Sequence, residues 1–181
     1  MKKSRLGKQR GFTMVEVMVA MVVLAAGVLS LVSVLTQGLR ANYQTQIQYI
    51  AQQKAQEAME TIFTARDTRL VTSAQINNVS NGGIFMNGAQ PLCAPGPDGL
   101  FGTADDDCTQ PDGITIAPGP DNIFGTADDI IINLNPWMTR TIVIAPAANT
   151  ANLKTITVTI NWTFQGQTSQ YQLLSFISNF S

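Results

Sequence analysis

The sequence predicts an α+β protein in which one long N-terminal helix carries a C-terminal antiparallel β-sheet of about four strands. Three observations support this prediction. The nineteen residues from Val17 to Leu35 contain no charge. A helical pattern of apolar and polar residues continues to about Arg66, and segments of strand-like pattern follow from Ile130 onward.

The uncharged run is long enough to cross a membrane, since about 20 apolar residues span the hydrocarbon core as a helix. Residues 1–11 before it carry five cations and no acid, whereas Arg40 alone follows closely behind it. This bias predicts a cytoplasmic N-terminus and an outward-facing remainder. Residues 29–42 offer no A-x-A cleavage site, so we expect the apolar helix to stay on the mature protein.

The junction between the cations and the apolar run carries a specific motif, Gly11-Phe12-Thr13-Met14-Val15-Glu16. It resembles the class III signal of type IV prepilins and of type II secretion pseudopilins. The resemblance implies that a prepilin peptidase cuts after Gly11 and methylates the new N-terminal Phe12. The apolar helix would then form the assembly core of a filament, and Glu16 would meet the Phe12 ammonium of a neighbouring subunit.

The position of Glu16 is costly in a membrane, because a carboxylate there costs about 2.5–3.5 kcal/mol on insertion scales. An ammonium on an adjacent, axially shifted helix would offset that cost and fix the register between subunits. The alternative interpretation is that Glu16 only stabilises the first helical turn through the helix dipole.

The resemblance also implies a pilin fold, and the strand with the sequence TVTINW at residues 157–162 is most similar to V-type minor pilins or I-type pseudopilins. The implied partners are other pilin subunits, the prepilin peptidase and, before assembly, the inner membrane. The implied function is that of a minor pilin that joins or primes a type IV pilus. A type II secretion pseudopilin and a membrane-anchored surface binding module are the alternatives.

The predicted organisation has five parts. They are a cleaved leader at 1–11, a transmembrane and assembly helix at 12–36, an amphipathic helix of the head at 37–69, a loop region at 70–129 and an antiparallel sheet at 130–181.

The second half of the long helix should hold the head on a stripe that includes Ile47, Ile50 and Ile62, opposite a face rich in glutamine. Four strands are predicted for the sheet, with a turn at residues 165–167 between the last two. They are 130–134, 140–144, 154–164 and 171–177.

Cys93 and Cys108 are the only cysteines. In an oxidising compartment they are expected to form a disulfide, which the chain-entropy model values at about 3 kcal/mol for a loop of about 15 residues. A zinc or redox site is poorly supported, because two cysteines without histidine or a C-x-x-C spacing supply too few ligands.

Within the loop region, the fourteen residues 94–107 return as 117–130, with identity at eleven positions. Each copy combines a Pro-Asp turn, an acidic end and a phenylalanine, Phe101 or Phe124, that we expect to be buried. Acidic oxygens at short spacing in a glycine-rich loop suggest calcium binding, although the spacing is not that of an EF-hand. The alternative is a solvated acidic loop without metal. The candidate ligands are Asp98, Asp105, Asp106, Asp107, Asp121, Asp128 and Asp129.

Charge and composition argue against two other classes of function. Cleavage after Gly11 would leave six cations against twelve acids, which disfavours binding to nucleic acid through bulk charge. The chain has no histidine, so a serine or cysteine nucleophile would lack its ordinary base, and no phosphate-binding loop follows a strand. We therefore expect no catalytic residue and no required cofactor, calcium aside.

Overall fold

The structure, a computed structural model, describes residues 11–134, 137–148, 150 and 152–178, with the backbone alone at Pro111. The predicted leader lies outside these residues except for Gly11. In this part of the chain, one α-helix and a short 3-10 helix (Val79–Asn81) are followed by eight strands. They are α1 (Met14–Asp67), β1 (Gln90–Pro91), β2 (Cys93–Ala94), β3 (Asp107–Pro111), β4 (Gly113–Ala117), β5 (Ile130–Asn133), β6 (Met138–Pro146), β7 (Leu153–Phe164) and β8 (Gln167–Ser178). This α+β, pilin-like arrangement confirms the predicted fold class.

The chain divides into two compact units, Met1–Thr45 and Gln46–Ser181. We call the second unit the head. In the first unit the described side chains are exposed along the apolar run. In the head, α1 buries one stripe of residues three and four apart, as predicted from Ile47 and Ile62. The stripe consists of Ile47, Ala51, Ala55, Ala58, Met59, Ile62 and Ala65.

The main sheet has four antiparallel strands in the order β1-β6-β7-β8. Its long hairpin β7–β8 confirms the predicted alternation, because Ile156, Val158 and Ile160 are fully buried while their neighbours are not. The hairpin turns at Gln165 and Gly166, whose φ angles of 50° and 80° match the two left-handed positions of a type I′ turn. This turn suits the right-handed twist of the two strands.

The strand predicted at 130–134 does form, but its predicted place in the main sheet is wrong. β5 pairs instead with β4 in a separate two-stranded sheet, and the short strand β1 takes the fourth place beside β6. All four residues of β5 are exposed. A run of isoleucines specifies extended backbone, but which strand it pairs with depends on distant residues.

Where β6 extends past its short partner β1, the side chain of Asn78 covers the open edge of the strand. The Asn78 amide donates to the Ile142 carbonyl over 2.8 Å, and its Oδ1 accepts from the Ile144 N–H over 2.8 Å. Asn78 is buried, so its amide satisfies backbone groups that would otherwise lie unpaired at this edge.

Candidate assembly site and duplicated acidic loops

The N-terminal motif is accessible in the structure. Gly11, Phe12 and Thr13 precede α1, and Phe12 is 81% exposed. A Cβ atom built on Gly11 would meet no atom within 4 Å. Contacts with the described residues therefore do not require glycine at this position.

Helix α1 begins with a cap that the sequence analysis missed. The Glu16 N–H donates to the Thr13 Oγ1 over 3.3 Å and to the Thr13 carbonyl over 3.1 Å. Threonine followed three residues later by glutamate is the signature of a capping box, and this pattern could have located the helix start. Glu16 lies in the first turn, where the helix dipole favours a negative charge.

Beyond the cap, α1 has the length and the apolar composition needed to cross a membrane. Its most apolar stretch of 18 residues contains no buried residue. Its exposed side chains include Met21, Leu24, Leu29 and Leu35. An exposed apolar surface of this size marks a site that contacts lipid or other protein.

Cys93 and Cys108 form a disulfide, as predicted. The bond joins β2 to β3 beside the cross-strand pair Ala94 and Asp107. It closes the hairpin that carries the first acidic repeat. The second repeat forms the equivalent hairpin between β4 and β5, which begins at the pair Ala117 and Ile130.

The two repeats have the same local conformation. A turn closes between Gly96 and Gly99 in the first and between Gly119 and Asn122 in the second, each over 3.0 Å. Gly99 and Asn122 both have left-handed backbone, with φ of 68° and 56°. Sequence identity at eleven of fourteen positions thus gives the same turn twice.

The acidic side chains stabilise these turns as hydrogen-bond acceptors, and the bonds recur in both copies. Asp98 accepts the Leu100 N–H over 2.8 Å, and Asp121 accepts the Ile123 N–H over 2.9 Å. Asp106 accepts the Gly102 N–H over 2.8 Å, as Asp129 does for Gly125 over 2.7 Å. Asp105 and Asp128 each accept a threonine hydroxyl over 2.7 Å.

These bonds change the acidity of the carboxyl groups. The Thr103 hydroxyl lowers the pKa of Asp105, and the Thr126 hydroxyl lowers that of Asp128. Hydrogen bonds from Thr109 lower the pKa of Asp107. Burial raises the pKa of Asp106 against the opposing effect of its hydrogen bonds and of Arg140.

The repeats differ in burial. Leu100 and Phe101 of the first copy are 1% and 3% exposed and belong to the core. Ile123 and Phe124 of the second are 59% and 64% exposed. The prediction that both phenylalanines are buried is therefore right for Phe101 and wrong for Phe124. Among the described residues of the β4–β5 hairpin, Ile114 of β4 packs partly against the core, whereas Phe124 at the far end of the hairpin does not.

The calcium hypothesis is not tested by this arrangement. Among the described residues, no three acidic, cysteine or histidine side chains converge in a way that could hold a metal ion. The candidate carboxylates instead accept hydrogen bonds within their own loops.

The sequence analysis also missed a buried charge cluster in the head. Lys54 of α1 contacts Asp112 over 2.5 Å and Glu57 over 2.9 Å, while Arg140 of β6 approaches Asp112 at 3.4 Å. Arg140 and Asp112 are 2% and 7% exposed. The sequence of β6 could have indicated that Arg140 is buried, because Arg140 lies on the same face of the strand as Met138 and Ile142, which are buried.

Comparison with known proteins identifies the N-terminal segment. Residues 6–32 match the prokaryotic N-terminal methylation motif, the class III signal peptide of type IV pilins. No curated protein and no solved structure matches the chain significantly. The motif supports a type IV pilin-like or pseudopilin protein, and a structural protein rather than an enzyme. The apolar helix behind it fits anchoring in the inner membrane.

Proposed function

We propose that this chain is a minor pilin, a structural subunit that joins a type IV pilus or primes its assembly after cleavage between Gly11 and Phe12. The observation that carries the proposal is the methylation motif at 6–32, which continues into the exposed apolar helix that begins at Met14. Phe12 and Glu16 are the residues that would connect neighbouring subunits. The assembly helix and the head would then be the two functional parts of the mature subunit.

The proposed route begins in the inner membrane, with a cytoplasmic N-terminus and a periplasmic head. The five cations before the apolar run favour this orientation. The disulfide between Cys93 and Cys108 supports it, because disulfides persist in oxidising compartments such as the periplasm. Assembly would then move the subunit from the membrane into a filament at the cell surface.

The proposal is tested first through processing. In cells that carry a prepilin peptidase, mass analysis of the wild-type protein should give an N-terminus at Phe12, with one added methyl group. Gly11→Val should leave the uncut chain. Gly38→Val is the matched control, since a Cβ there also meets no atom within 4 Å, and it should be cut normally.

Filament recovery then tests the role. A minor pilin should appear in sheared pili at low abundance and only when it is processed. Recovery with a type II secretion system, and not with pili, would instead support a pseudopilin. An uncut protein that stays in the membrane would contradict both and favour a surface binding module.

A further inference from the structure

The loop between α1 and β1 contains two Asn-Gly pairs, at residues 81–82 and 87–88. The backbone nitrogen of the residue after an asparagine can attack the side-chain amide and close a succinimide ring. Glycine hinders this attack least, because it has no Cβ. The rate then depends on how closely and how freely the two groups can approach. The two pairs share this chemistry but differ in their surroundings.

The first pair is held by backbone hydrogen bonds. Asn81 ends the short 3-10 helix, and its N–H donates to the Asn78 carbonyl over 2.8 Å. The Gly82 N–H, whose nitrogen would have to attack, donates to the Val79 carbonyl over 3.1 Å. This bond must break before the nitrogen can react. The fold therefore protects Asn81.

The second pair is not held in this way. Gly88 has a left-handed φ of 78°, and a Cβ built on it would meet no atom within 4 Å. Its N–H makes no hydrogen bond with the residues that the structure describes. Asn87 and Gly88 are both exposed, so water reaches the amide and the attacking nitrogen. The loop therefore leaves this pair free to close the ring.

A hydroxyl lies beside the amide that would be attacked. The Ser80 Oγ donates to the Asn87 Oδ1 over 3.0 Å. Attack on the Asn87 Cγ turns this oxygen into an oxyanion, and a positioned donor stabilises such a charge as it develops. The Asn87 Nδ2, the leaving group, makes no hydrogen bond in the described part of the chain. Ser80 therefore polarises the amide without holding its leaving group.

Anchored neighbours keep the hydroxyl beside the amide. Val79, just before Ser80, donates its N–H to the carbonyl of the fully buried Phe85 over 2.8 Å. Met86, just before Asn87, donates its N–H to the Gly102 carbonyl over 2.7 Å. Both partners of the Ser80–Asn87 hydrogen bond therefore follow residues that the head fixes in place. The fold of the loop brings this donor to the second pair.

We propose that Asn87 rearranges spontaneously to a mixture of aspartate and isoaspartate, and that Ser80 promotes this reaction. The Gly88 nitrogen gives up its proton and bonds to the Asn87 Cγ, while the Cγ–Nδ2 bond breaks and the amide leaves as ammonia. Water then opens the succinimide. Attack at Cγ gives aspartate, and attack at the backbone carbonyl carbon gives isoaspartate. Overall, an amide and water become a carboxyl group and ammonia.

The product would lie just before the edge strand of the main sheet. Isoaspartate routes the backbone through its side chain and so lengthens it by a methylene group shortly before β1. The Gln90 side chain donates to the Asn87 carbonyl over 3.0 Å, and Gln90 pairs with Arg140 of β6. Rearrangement would therefore loosen β1. The chemistry needs only the head, so it is the same in a pilin and in a pseudopilin.

Peptide mapping of the full chain, kept folded in detergent at mildly alkaline pH, tests the assignment. After denaturation, chymotrypsin cuts behind Phe85 and separates Asn81 from Asn87. Mass spectrometry should show the change from amide to acid growing about tenfold faster at Asn87 than at Asn81, as expected for a difference of one hydrogen bond. An isoaspartate methyltransferase should label the same peptide.

Two variants and an unfolded control test the role of the fold. Ser80→Ala should slow the change at Asn87 about fivefold, whereas Ser80→Thr keeps a hydroxyl and should keep most of the rate. Ser80 is exposed, so neither substitution should disturb the core. In urea the two pairs should react at similar rates, because the unfolded chain holds neither of them.

Three outcomes would overturn the inference. They are equal rates at Asn81 and Asn87 in the folded protein, an unchanged rate at Asn87 in Ser80→Ala, and an intact Asn87 in folded protein when the unfolded chain reacts. None of these outcomes bears on processing or filament recovery, so the proposed function is tested separately.

Discussion

Asp112 is the residue on which the two buried cations of the head depend. Its carboxylate faces Lys54 at 2.5 Å and Arg140 at 3.4 Å, and both cationic side chains are largely buried. Burial lowers the pKa of Lys54, but the hydrogen bond and charge of Asp112, and then those of Glu57, outweigh it and raise that pKa. Removing one member of such a cluster leaves an uncompensated buried charge.

We predict that Asp112→Asn lowers the free energy of unfolding by about 3–5 kcal/mol, because it leaves the buried Arg140 without its ion-pair partner and Lys54 with Glu57 alone. Thermal unfolding of the full chain in detergent, followed by near-ultraviolet circular dichroism, measures this change. Glu60→Gln is the matched control on the exposed face of α1 and should change stability by at most about 0.5 kcal/mol. Equal effects of the two substitutions would contradict the charge cluster.

The raised pKa of Lys54 also predicts a pH dependence. A lysine whose folded pKa lies above its unfolded value of 10.5 binds its proton more tightly in the native state. The stability it contributes is fully present below pH 10.5 and is lost as the pH rises through the folded pKa. We predict that the stability advantage of wild type over Lys54→Gln is constant between pH 7 and pH 10.5, and falls above it. Denaturant titrations at each pH measure it, and an advantage that grows with alkaline pH would show the opposite linkage.

Glu16 is the residue that we expect to connect neighbouring subunits during assembly. Glu16→Ala removes a charge that is costly in the membrane and also removes the expected partner of the Phe12 ammonium. Processing and membrane insertion should therefore remain, while the amount of subunit in sheared pili falls. Quantitative blotting of membrane and pilus fractions measures both. Normal amounts of the alanine variant in pili would exclude the electrostatic docking role.

The two acidic hairpins can be compared directly by making the same substitution in each. Their turns are alike, and both require glycine at the same place. A Cβ on Gly96 would overlap the Asp105 carbonyl and carboxylate, and one on Gly119 would overlap the same groups of Asp128. The first hairpin is cross-linked by the disulfide and buries Leu100 and Phe101 in the core, whereas Ile123 and Phe124 of the second are exposed.

We predict that Gly96→Ala lowers the free energy of unfolding by about 1–3 kcal/mol, because the added methyl group would overlap Asp105 in a loop that packs into the core through Leu100 and Phe101. Gly119→Ala should disturb its own loop equally but leave the melting temperature of the head almost unchanged, because Ile123 and Phe124 lie outside the core. Differential scanning calorimetry of the two variants compares them directly. An equal loss of stability would mean that the second hairpin contributes to the core after all.

The calcium hypothesis rests on the excess of acidic over basic side chains in the head. The head carries eleven acids against five cations, and seven of those acids belong to the two repeats. Like charges in this number repel one another unless they are neutralised. Their present partners are N–H and hydroxyl donors of the same loops.

Calcium binding stays a prediction. If calcium binds, a hundredfold excess over Kd should stabilise the protein by about 2.7 kcal/mol and raise the melting temperature at fixed ionic strength. Asp105→Asn combined with Asp128→Asn should then abolish that rise. Unchanged melting in several millimolar calcium would leave the carboxylates as acceptors of loop hydrogen bonds alone.

Features that depend on neighbours along the chain could be predicted from the sequence. The extent of α1 follows from composition and periodicity, and the alternation of β7 follows from residues two apart. The two repeats fold alike because their hydrogen bonds span at most seven residues, as from Asp98 to Asp105. The methylation motif is likewise a local pattern. The interactions within such a segment are the same wherever the segment occurs in the chain.

Which repeat is buried and which strand completes the main sheet could not be predicted, because both depend on contacts between distant segments of the chain. Phe101 is covered because Arg140, distant in sequence, lies over its ring, whereas Phe124 has the same local sequence and no such neighbour in the described head. Asp112 meets Lys54 across 58 residues, and β5 pairs with β4 rather than with β6. These outcomes depend on contacts between distant segments, and the burial free energy of a side chain is set by what the rest of the chain places against it.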